Sequence, residues 1–187
     1  MKPRTAILAV SVVAATLATL TFPVSRYAVW NVSASVPTGL YLIRGNQNIH
    51  VGERVAIEPP PELRRLLAER GYLPVRVPLL KRVAAVSGQR VCRFSHGVTI
   101  DGALVGVARS FDRHGRKLPA WFGCHRIKTG EIFVMNPSAP NSFDGRYFGM
   151  LSADHVIGRA TPIWTDEAGN GDHNWFALPA IPEPSRQ

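Results

Sequence analysis

The sequence predicts a mainly β fold with one short helix, preceded by an N-terminal transmembrane helix. Three observations lead to this prediction. Most apolar segments after residue 26 are short and lie between glycine or proline residues, which is typical of strands. Only residues 61–70 have the spacing of an amphipathic helix. The first apolar run is much longer than any that follows it.

That first run spans residues 6–24, and its polar members are uncharged. It is about long enough to cross a hydrocarbon core of roughly 30 Å. Lys2 and Arg4 precede the run, which places the N-terminus in the cytoplasm, while Arg26 weakens this bias without cancelling it. We therefore expect a retained membrane anchor. The alternative is a cleaved signal peptide, which the length of the run and the lack of a clear small-x-small site disfavour.

Two domains follow from this reading. Residues 1–26 form a cytoplasmic segment and the anchor, and residues 27–187 form one compact domain outside the cytoplasm. With 45% hydrophobic and 19% charged residues, the chain is not of the disordered class.

The chain is basic, with 22 Lys and Arg against 13 Asp and Glu and a formal net charge of +9. Such a charge suits an anionic membrane surface or nucleic acid. The basic residues are scattered, however, and we find no spacing typical of a helix-turn-helix or a zinc finger. We therefore expect a lipid surface, and no nucleic acid, to be a partner.

Cys92 and Cys124 are the two cysteines of the chain. Outside the cytoplasm an even pair predicts one disulfide, and the alternative is two unpaired buried thiols. Neither cysteine belongs to a CxxC motif, and no His or Cys cluster has the spacing of metal ligands. We expect no metal and no other cofactor.

The elements after the anchor can be placed in order. A helix is predicted at residues 61–70, with proline near its start and glycine just after its end. Residues 107–120 are polar and basic and predict a loop, and the tail after residue 164 is expected to be partly loose. The predicted strands are residues 39–43, 52–57, 77–88, 97–102, 131–135, 155–160 and 162–164.

Lys81 lies in the middle of the apolar strand at residues 77–88. A lysine in this position is either an edge residue whose amine reaches water or a buried amine. Burial disfavours the charged form and lowers the pKa, which provides a base near neutral pH. The pattern by itself leaves both possibilities open.

Two other segments carry hydroxyl groups. Ser33 and Ser35 precede a turn fixed by Pro37 and Gly39, which could expose a serine hydroxyl or be an ordinary turn.

The second segment spans residues 141–149. If it is extended, Ser142, Asp144 and Arg146 share one side, so an Asp144–Arg146 ion pair is possible. The alternative is a structural turn that contains the same pair.

In order, these segments resemble the type I signal peptidase family (S26), and most closely its conjugative-transfer branch, the TraF peptidases. The resemblance covers nearly the whole chain up to about residue 164 and implies a signal-peptidase-like core, a coiled β-sheet or small barrel. One departure is that residues 134–137, Val-Met-Asn-Pro, replace the Gly-Asp-Asn-Arg of the general enzymes. The matching segments are Asn31 to Tyr41, Lys81-Arg82-Val83 with Gly88, Asn141 to Gly149, and Ile157 to Ala160.

The resemblance implies a Ser–Lys peptidase. Ser35 corresponds to the nucleophile and Lys81 to its general base. The Ser33 hydroxyl and the Ser35 amide correspond to the oxyanion hole. Ser142 corresponds to the residue that orients the lysine amine. Asp144 pairs with the arginine two residues later in the general enzymes and is counted with the catalytic set in the TraF branch.

The resemblance thus implies a serine endopeptidase on the periplasmic side of a bacterial inner membrane. Its substrate is an exported precursor, a conjugative pilin in the TraF branch, bound as an extended strand and then hydrolysed or cyclised. Two rival hypotheses are a non-enzymatic single-pass subunit of a conjugation or secretion apparatus and a self-cleaving repressor. The anchor stands where the DNA-binding domain of such a repressor would be.

Overall fold

The computed structural model describes residues 26–45 and 48–176. The membrane anchor expected at residues 6–24 therefore lies outside the described residues. Within residues 26–45 and 48–176, no helix is both long enough and apolar enough to span a bilayer.

The described chain is mainly β, as the sequence predicted. It contains one helix of nine residues, α1 (Pro61–Glu69), and a second of four residues, α2 (Gly145–Phe148). A 3-10 turn covers Ala153–His155. The strands are β1 (Arg26–Asn31), β2 (Thr38–Arg44), β3 (Arg54–Ile57), β4 (Leu79–Val86), β5 (Arg90–Phe94), β6 (Gly97–Ile100), β7 (Ala103–Val107), β8 (Gly123–Arg126), β9 (Glu131–Val134), β10 (Leu151–Ser152), β11 (Val156–Asp166) and β12 (Asn174–Trp175).

The strands form two antiparallel sheets. The larger has the order β1-β2-β11-β3-β4-β9-β10, with β12 paired to β11, and the smaller has the order β7-β6-β5-β8. The central strand β4 pairs with β3 through residues 79–82 and with β9 through residues 83–86. The first half of β4 therefore has a strand on one side only.

Helix α1 lies where the sequence predicted it. It begins with proline at its first position, where the missing N–H costs nothing, and it buries Leu63 and Leu67. These side chains pack in one core with Val55 and Ile57 of β3 and Leu79 of β4. Complete burial of a leucine such as Leu67 contributes about 1.5–3 kcal/mol, so this contact holds the helix on the large sheet.

Several predicted boundaries were wrong. The two strands expected at residues 155–160 and 162–164 are one strand, β11, which pairs with β3 and then with β2 and shifts register after Pro162. Proline has no N–H for the ladder, so it is tolerated at such an irregularity. In the tail after residue 164, which was expected to be partly loose, β11 continues to Asp166 and β12 returns to pair with it, and residues 177–187 lie outside the described residues.

Other strands were missed because their sequences lack regular alternation of apolar and polar residues. β1, β5, β7, β8, β10 and β12 had no strand prediction. The expected loop at residues 107–120 is present after β7 and contains an isolated bridge between Phe111 and Lys117.

Cys92 and Cys124 are joined by a disulfide in the smaller sheet. They are direct cross-strand partners on β5 and β8, with Cα atoms 4.0 Å apart. The bond ties β8 to the hairpin of β5 and β6, across a sequence separation of 32 residues.

Candidate active site

The turn between β1 and β2 is built around the side chain of Asn31. Its Nδ2 donates hydrogen bonds to the carbonyl oxygens of Ser33 (2.8 Å), Val36 (3.1 Å) and Pro37 (3.1 Å). Its Oδ1 accepts bonds from the amide and from the hydroxyl of Ser33, each at 3.0 Å. One buried amide thus satisfies most of the turn's polar groups, so the turn has a defined shape.

Ser35 lies in this turn, and its Oγ is 2.9 Å from Ser33 Oγ. Since the Ser33 hydroxyl donates to Asn31 Oδ1, Ser35 Oγ is the donor between the two serines. The structure therefore brings together the two hydroxyls that the sequence assigned to the nucleophile and to the oxyanion hole.

Lys81 is buried, with 3% of its surface exposed, so the alternative of an edge residue with a solvated amine is wrong. Its Nζ donates a 2.9 Å hydrogen bond to Ser142 Oγ. Burial, which removes water from the ammonium, lowers the pKa of Lys81 to about 8. The charge of Asp144 opposes this shift and that of Arg146 adds to it.

Ser33, Ser35, Lys81 and Ser142 all line one cavity of about 790 Å³. The hydroxyl of Ser35 is hydrogen-bonded to Ser33, and the amine of Lys81 is hydrogen-bonded to Ser142. Ser35 and Lys81 thus each have a third residue, and not one another, as hydrogen-bond partner. Catalytic hydrogen bonds are often long or absent without substrate and form in the complex. The cavity can therefore hold a peptide next to a hydroxyl and an amine of lowered pKa.

Asp144 and Arg146 form the expected ion pair, with Asp144 fully buried and the Arg146 side chain 2% exposed. Arg146 Nε donates to Asp144 Oδ1 at 2.8 Å and Nη2 donates to Oδ2 at 2.9 Å. The same Nη2 also donates to the carbonyl of Ser142 at 3.2 Å. The pair therefore holds the backbone of the residue whose hydroxyl contacts Lys81.

The segment that carries this pair is not extended; it is a turn that contains the pair, which was the alternative left open from its sequence. Asp144 is the N-cap of α2, and its Oδ1 accepts a 3.2 Å hydrogen bond from the backbone amide of Arg146. Gly145 follows because a Cβ there would lie 2.6 Å from Phe133 Cε2 and 2.7 Å from the carbonyl oxygen of Val134. Close packing on β9 therefore decides the local conformation.

Asn136 was not predicted as a site residue. It lies two residues after the end of β9, with 4% of its surface exposed. Its Nδ2 donates to the carbonyl of Ser35, and its Oδ1 accepts a 2.8 Å bond from the amide of Arg82. Its own amide donates to Asp144 Oδ2 at 3.1 Å. The asparagine that it shares with the Gly-Asp-Asn-Arg segment of the general enzymes was a signal that could have indicated it, but its contacts could not be predicted because its partners lie far away in the sequence.

The other walls of the cavity are largely apolar and come from the residues after α1, from Leu79 and Leu80 of β4, and from Phe143 and Tyr147. Two basic residues, Arg109 and Arg113, also line it. Among residues 26–45 and 48–176, no group of three or more His, Cys, Asp or Glu side chains is placed to hold a metal ion.

Comparison with known proteins gives consistent matches along the chain. The family model described as "Signal peptidase, peptidase S26" matches residues 3–165. The chain is 30% identical to a plasmid transfer protein TraF of Escherichia coli, over 72% of this chain and 81% of that protein. It is 33% identical to a probable conjugal transfer protein TraF of Sinorhizobium fredii, over 72% and 76%. A probable signal peptidase I-1 of Synechocystis is 31% identical, over 59% and 52%.

Proposed function

Because the chain belongs to the peptidase S26 family of signal peptidases, with TraF conjugal transfer proteins as relatives, we propose that it is a membrane-bound serine endopeptidase with a Ser35–Lys81 dyad. The observation that carries this proposal is the burial of the Lys81 amine on the wall of the cavity that also contains Ser35. Burial keeps a useful fraction of the amine neutral, and only a neutral amine can accept a proton.

In the acylation step, neutral Lys81 accepts the Ser35 proton while Ser35 Oγ attacks the scissile carbonyl of the substrate. The resulting ammonium then donates that proton to the departing amine. Ser142 Oγ, at 2.9 Å, accepts a hydrogen bond from Lys81 Nζ and so fixes the direction of the amine's lone pair. The Asp144–Arg146 pair positions Ser142 and contributes to the charge balance around the amine.

The negative charge of the tetrahedral intermediate develops beside Ser35 Oγ. The backbone amide of Ser35 and the hydroxyl of Ser33 are the donors we assign to this oxyanion. Ser33 Oγ lies 2.9 Å from Ser35 Oγ on the same rigid turn. Its proton, which Asn31 Oδ1 accepts in the free protein, has to turn toward the oxyanion when substrate is bound.

The first half of β4 supplies an edge for the substrate. Leu79, Leu80 and Lys81 pair with β3 on one side, and the cavity lies along them. An extended peptide can add to this edge through backbone hydrogen bonds, which brings its carbonyl to Ser35. We propose that the residues at the cut are small.

We further propose that the substrate is an exported precursor, in particular a conjugative pilin, since the relatives are named as plasmid and conjugal transfer proteins. Water releases the acyl-enzyme as a linear product. If the amino end of the same chain attacks instead, the product is a ring. The two products differ in mass by one water, so mass spectrometry of a co-expressed pilin precursor distinguishes them.

The proposed location is the bacterial inner membrane, with residues 1–26 as a retained anchor and cytoplasmic end. Residues 27–187 then form a periplasmic peptidase domain. The uncharged apolar run at residues 6–24 and the basic residues before it support this arrangement.

The test of the proposed function is the Ser35→Ala variant, co-expressed with the pilin precursor. We expect unprocessed precursor at a normal enzyme level, because the nucleophile is lost while the turn keeps its Asn31 bonds. Ser110→Ala is the matched control, since its hydroxyl contacts His96 on the surface and does not line the cavity. Wild-type processing by Ser35→Ala would contradict the dyad and favour a non-enzymatic subunit of the transfer apparatus.

A further inference from the structure

Asn136 connects the turn of Ser35 to the body of the domain. The carbonyl oxygens of Ser33, Val36 and Pro37 are taken by Asn31, within the β1–β2 hairpin. The carbonyl of Ser35 is instead bound by Asn136 Nδ2, from a residue 101 positions away. Among the described residues, this is the one hydrogen bond that joins residues 32–37 to the chain beyond β2.

The other end of the same amide is fixed to the strand of the base. Asn136 Oδ1 accepts a 2.8 Å bond from the amide of Arg82, the neighbour of Lys81 on β4. An amide group is planar and short, so its donor and acceptor lie at a constant separation. One rigid group therefore spans the gap between the peptide of Ser35 and the strand that carries Lys81.

The backbone of Asn136 is held as well. Its amide donates a 3.1 Å bond to Asp144 Oδ2, and Asp144 belongs to the buried pair that positions Ser142. The side chain is 4% exposed, so water does not compete for these bonds. The following Pro137 restricts Asn136 to extended backbone, which limits its freedom further.

We propose that Asn136 is a positioning residue that sets the placement of Ser35 relative to Lys81 before substrate binds. This proposal rests on the proposed function, because it assigns Asn136 a role in the same dyad. Asn136 acts through the Ser35 carbonyl and the Arg82 amide and does not itself touch the reacting atoms. Its role is distinct from that of Asn31, which shapes the turn but does not connect it to β4.

Loss of the amide has a specific kinetic consequence. A misplacement of about 1 Å between reacting groups can lower a rate about 100-fold. We expect Asn136→Ala to lower kcat about 10- to 100-fold and to leave KM nearly unchanged, because the β4 edge remains intact. The midpoint of the pH–rate profile should stay where it is in the wild type, since Lys81 remains buried.

The experiment uses the full chain in detergent micelles and the p-nitrophenyl ester of an acetylated alanine tripeptide as substrate. Initial rates give kcat and KM across the pH range, and thermal unfolding gives the stability of each variant. Gln89→Ala is the matched control. Its side chain also forms two hydrogen bonds, to the Val86 amide and to Asp101, but at the far end of β4.

A second variant separates positioning from folding. Asn136→Asp has the same shape and still accepts the Arg82 amide, but it has no N–H for the Ser35 carbonyl. Its rate is compared with the wild-type rate at a pH above the midpoints of both pH–rate profiles. At such a pH Lys81 is neutral in both proteins, so the added carboxylate no longer alters its charge. We expect it to be as slow as Asn136→Ala at that pH. If the alanine variant does not fold, the aspartate variant by itself tests the positioning role.

Three results would overturn the proposal: a wild-type kcat in Asn136→Asp, a loss no larger than that of Gln89→Ala, or a loss seen only as a shifted pH midpoint. Ser35→Ala is measured in parallel. If it hydrolyses the ester at the wild-type rate, the proposed dyad itself fails. If it is inactive while the Asn136 variants are normal, only the positioning role fails.

Discussion

The central residue of the site is a lysine with almost no access to water. A buried ammonium is costly, and the cost appears as the lowered pKa of Lys81, about 8 against an ordinary 10.5. The nearby Asp144 limits this shift, and Ser142 gives the amine one hydrogen-bond partner. At pH 7 about a tenth of such an amine is neutral, which is far more than for a solvated lysine.

The first prediction concerns the pH dependence of activity. In the proposed mechanism the neutral amine is the active form, so the rate should rise with pH through a midpoint at about 8 and then reach a plateau. Lys81→Arg should be inactive at every pH in this range, since a guanidinium does not lose its proton. Initial rates of ester hydrolysis at constant ionic strength provide the measurement. A flat profile, or substantial activity of Lys81→Arg, would show that another group takes the Ser35 proton.

The second prediction concerns stability at the same position. Since the folded-state pKa of Lys81 lies below the unfolded value, stability should rise with pH between about 8 and 10.5, and the full cost of burial is present below about pH 8. A shift of this size corresponds to about 3 kcal/mol.

Lys81→Met removes that cost and keeps much of the side-chain volume, so it should be inactive but more stable, most clearly below pH 8. Urea unfolding of both proteins at two pH values measures the difference in the free energy of unfolding. A stability gain that grows as the pH rises would have the wrong sign and would contradict burial as the cause.

At the scale of elements, the two sheets have separate tasks. The turn after β1, the first half of β4 and the segment before α2 surround the cavity, and none of β5, β6, β7 or β8 contributes a lining residue. The smaller sheet instead contains the disulfide and covers Phe133 of β9 with Val91 and Val98. The smaller sheet therefore contributes to the site indirectly: it supports β9, and Asn136 follows β9 in the chain.

The third prediction follows from that separation. The double variant Cys92→Ala, Cys124→Ala should lose on the order of 3–4 kcal/mol of stability, because the closed loop constrains the unfolded chain. It should keep its kcat at temperatures where it is folded. Thermal unfolding and ester hydrolysis provide the two readouts, and the wild type with reductant should resemble the double variant. Two reactive thiols in denatured, unreduced wild type would contradict the pairing.

At the scale of the whole molecule, the proposed arrangement combines a basic chain, an apolar N-terminal run and a peptidase domain. The net charge of +9 favours contact with anionic lipid once the chain is at a membrane. An oxidising compartment is also where the disulfide between Cys92 and Cys124 persists. Both features agree with a domain on the periplasmic side of the inner membrane.

The fourth prediction tests this topology. Protease added to spheroplasts should digest residues 27–187 while a cytoplasmic marker protein stays intact, and the digested band should come from the membrane fraction. Extraction at alkaline pH should leave the chain in that fraction if residues 1–26 are a retained anchor. A protected domain, or release of the mature domain as a soluble protein, would contradict the proposed arrangement.

Much of this protein could be predicted from its sequence. The mainly β class and the helix predicted at residues 61–70 follow from local spacing, because alternation and capping depend on neighbouring residues. The roles of Ser35 and Lys81 come instead from the resemblance of ordered motifs to a known family, and they stay a proposal. Strands without a regular pattern, such as β5 and β8, could not be found this way. Their sequences are rich in arginine, glycine and cysteine, and pairing with a partner strand decides their conformation.

Tertiary structure alone decided three features of the site. It showed that the Lys81 amine is buried and that its hydrogen-bond partner, Ser142, lies 61 positions away in the sequence. It turned the segment of Asp144 into a helix start, because Gly145 must pack on Phe133 and Val134. It also revealed Asn136, whose bond to Ser35 crosses 101 residues. A sequence determines which groups are available locally, but burial and long-range hydrogen bonds depend on which distant segments the folded chain brings together.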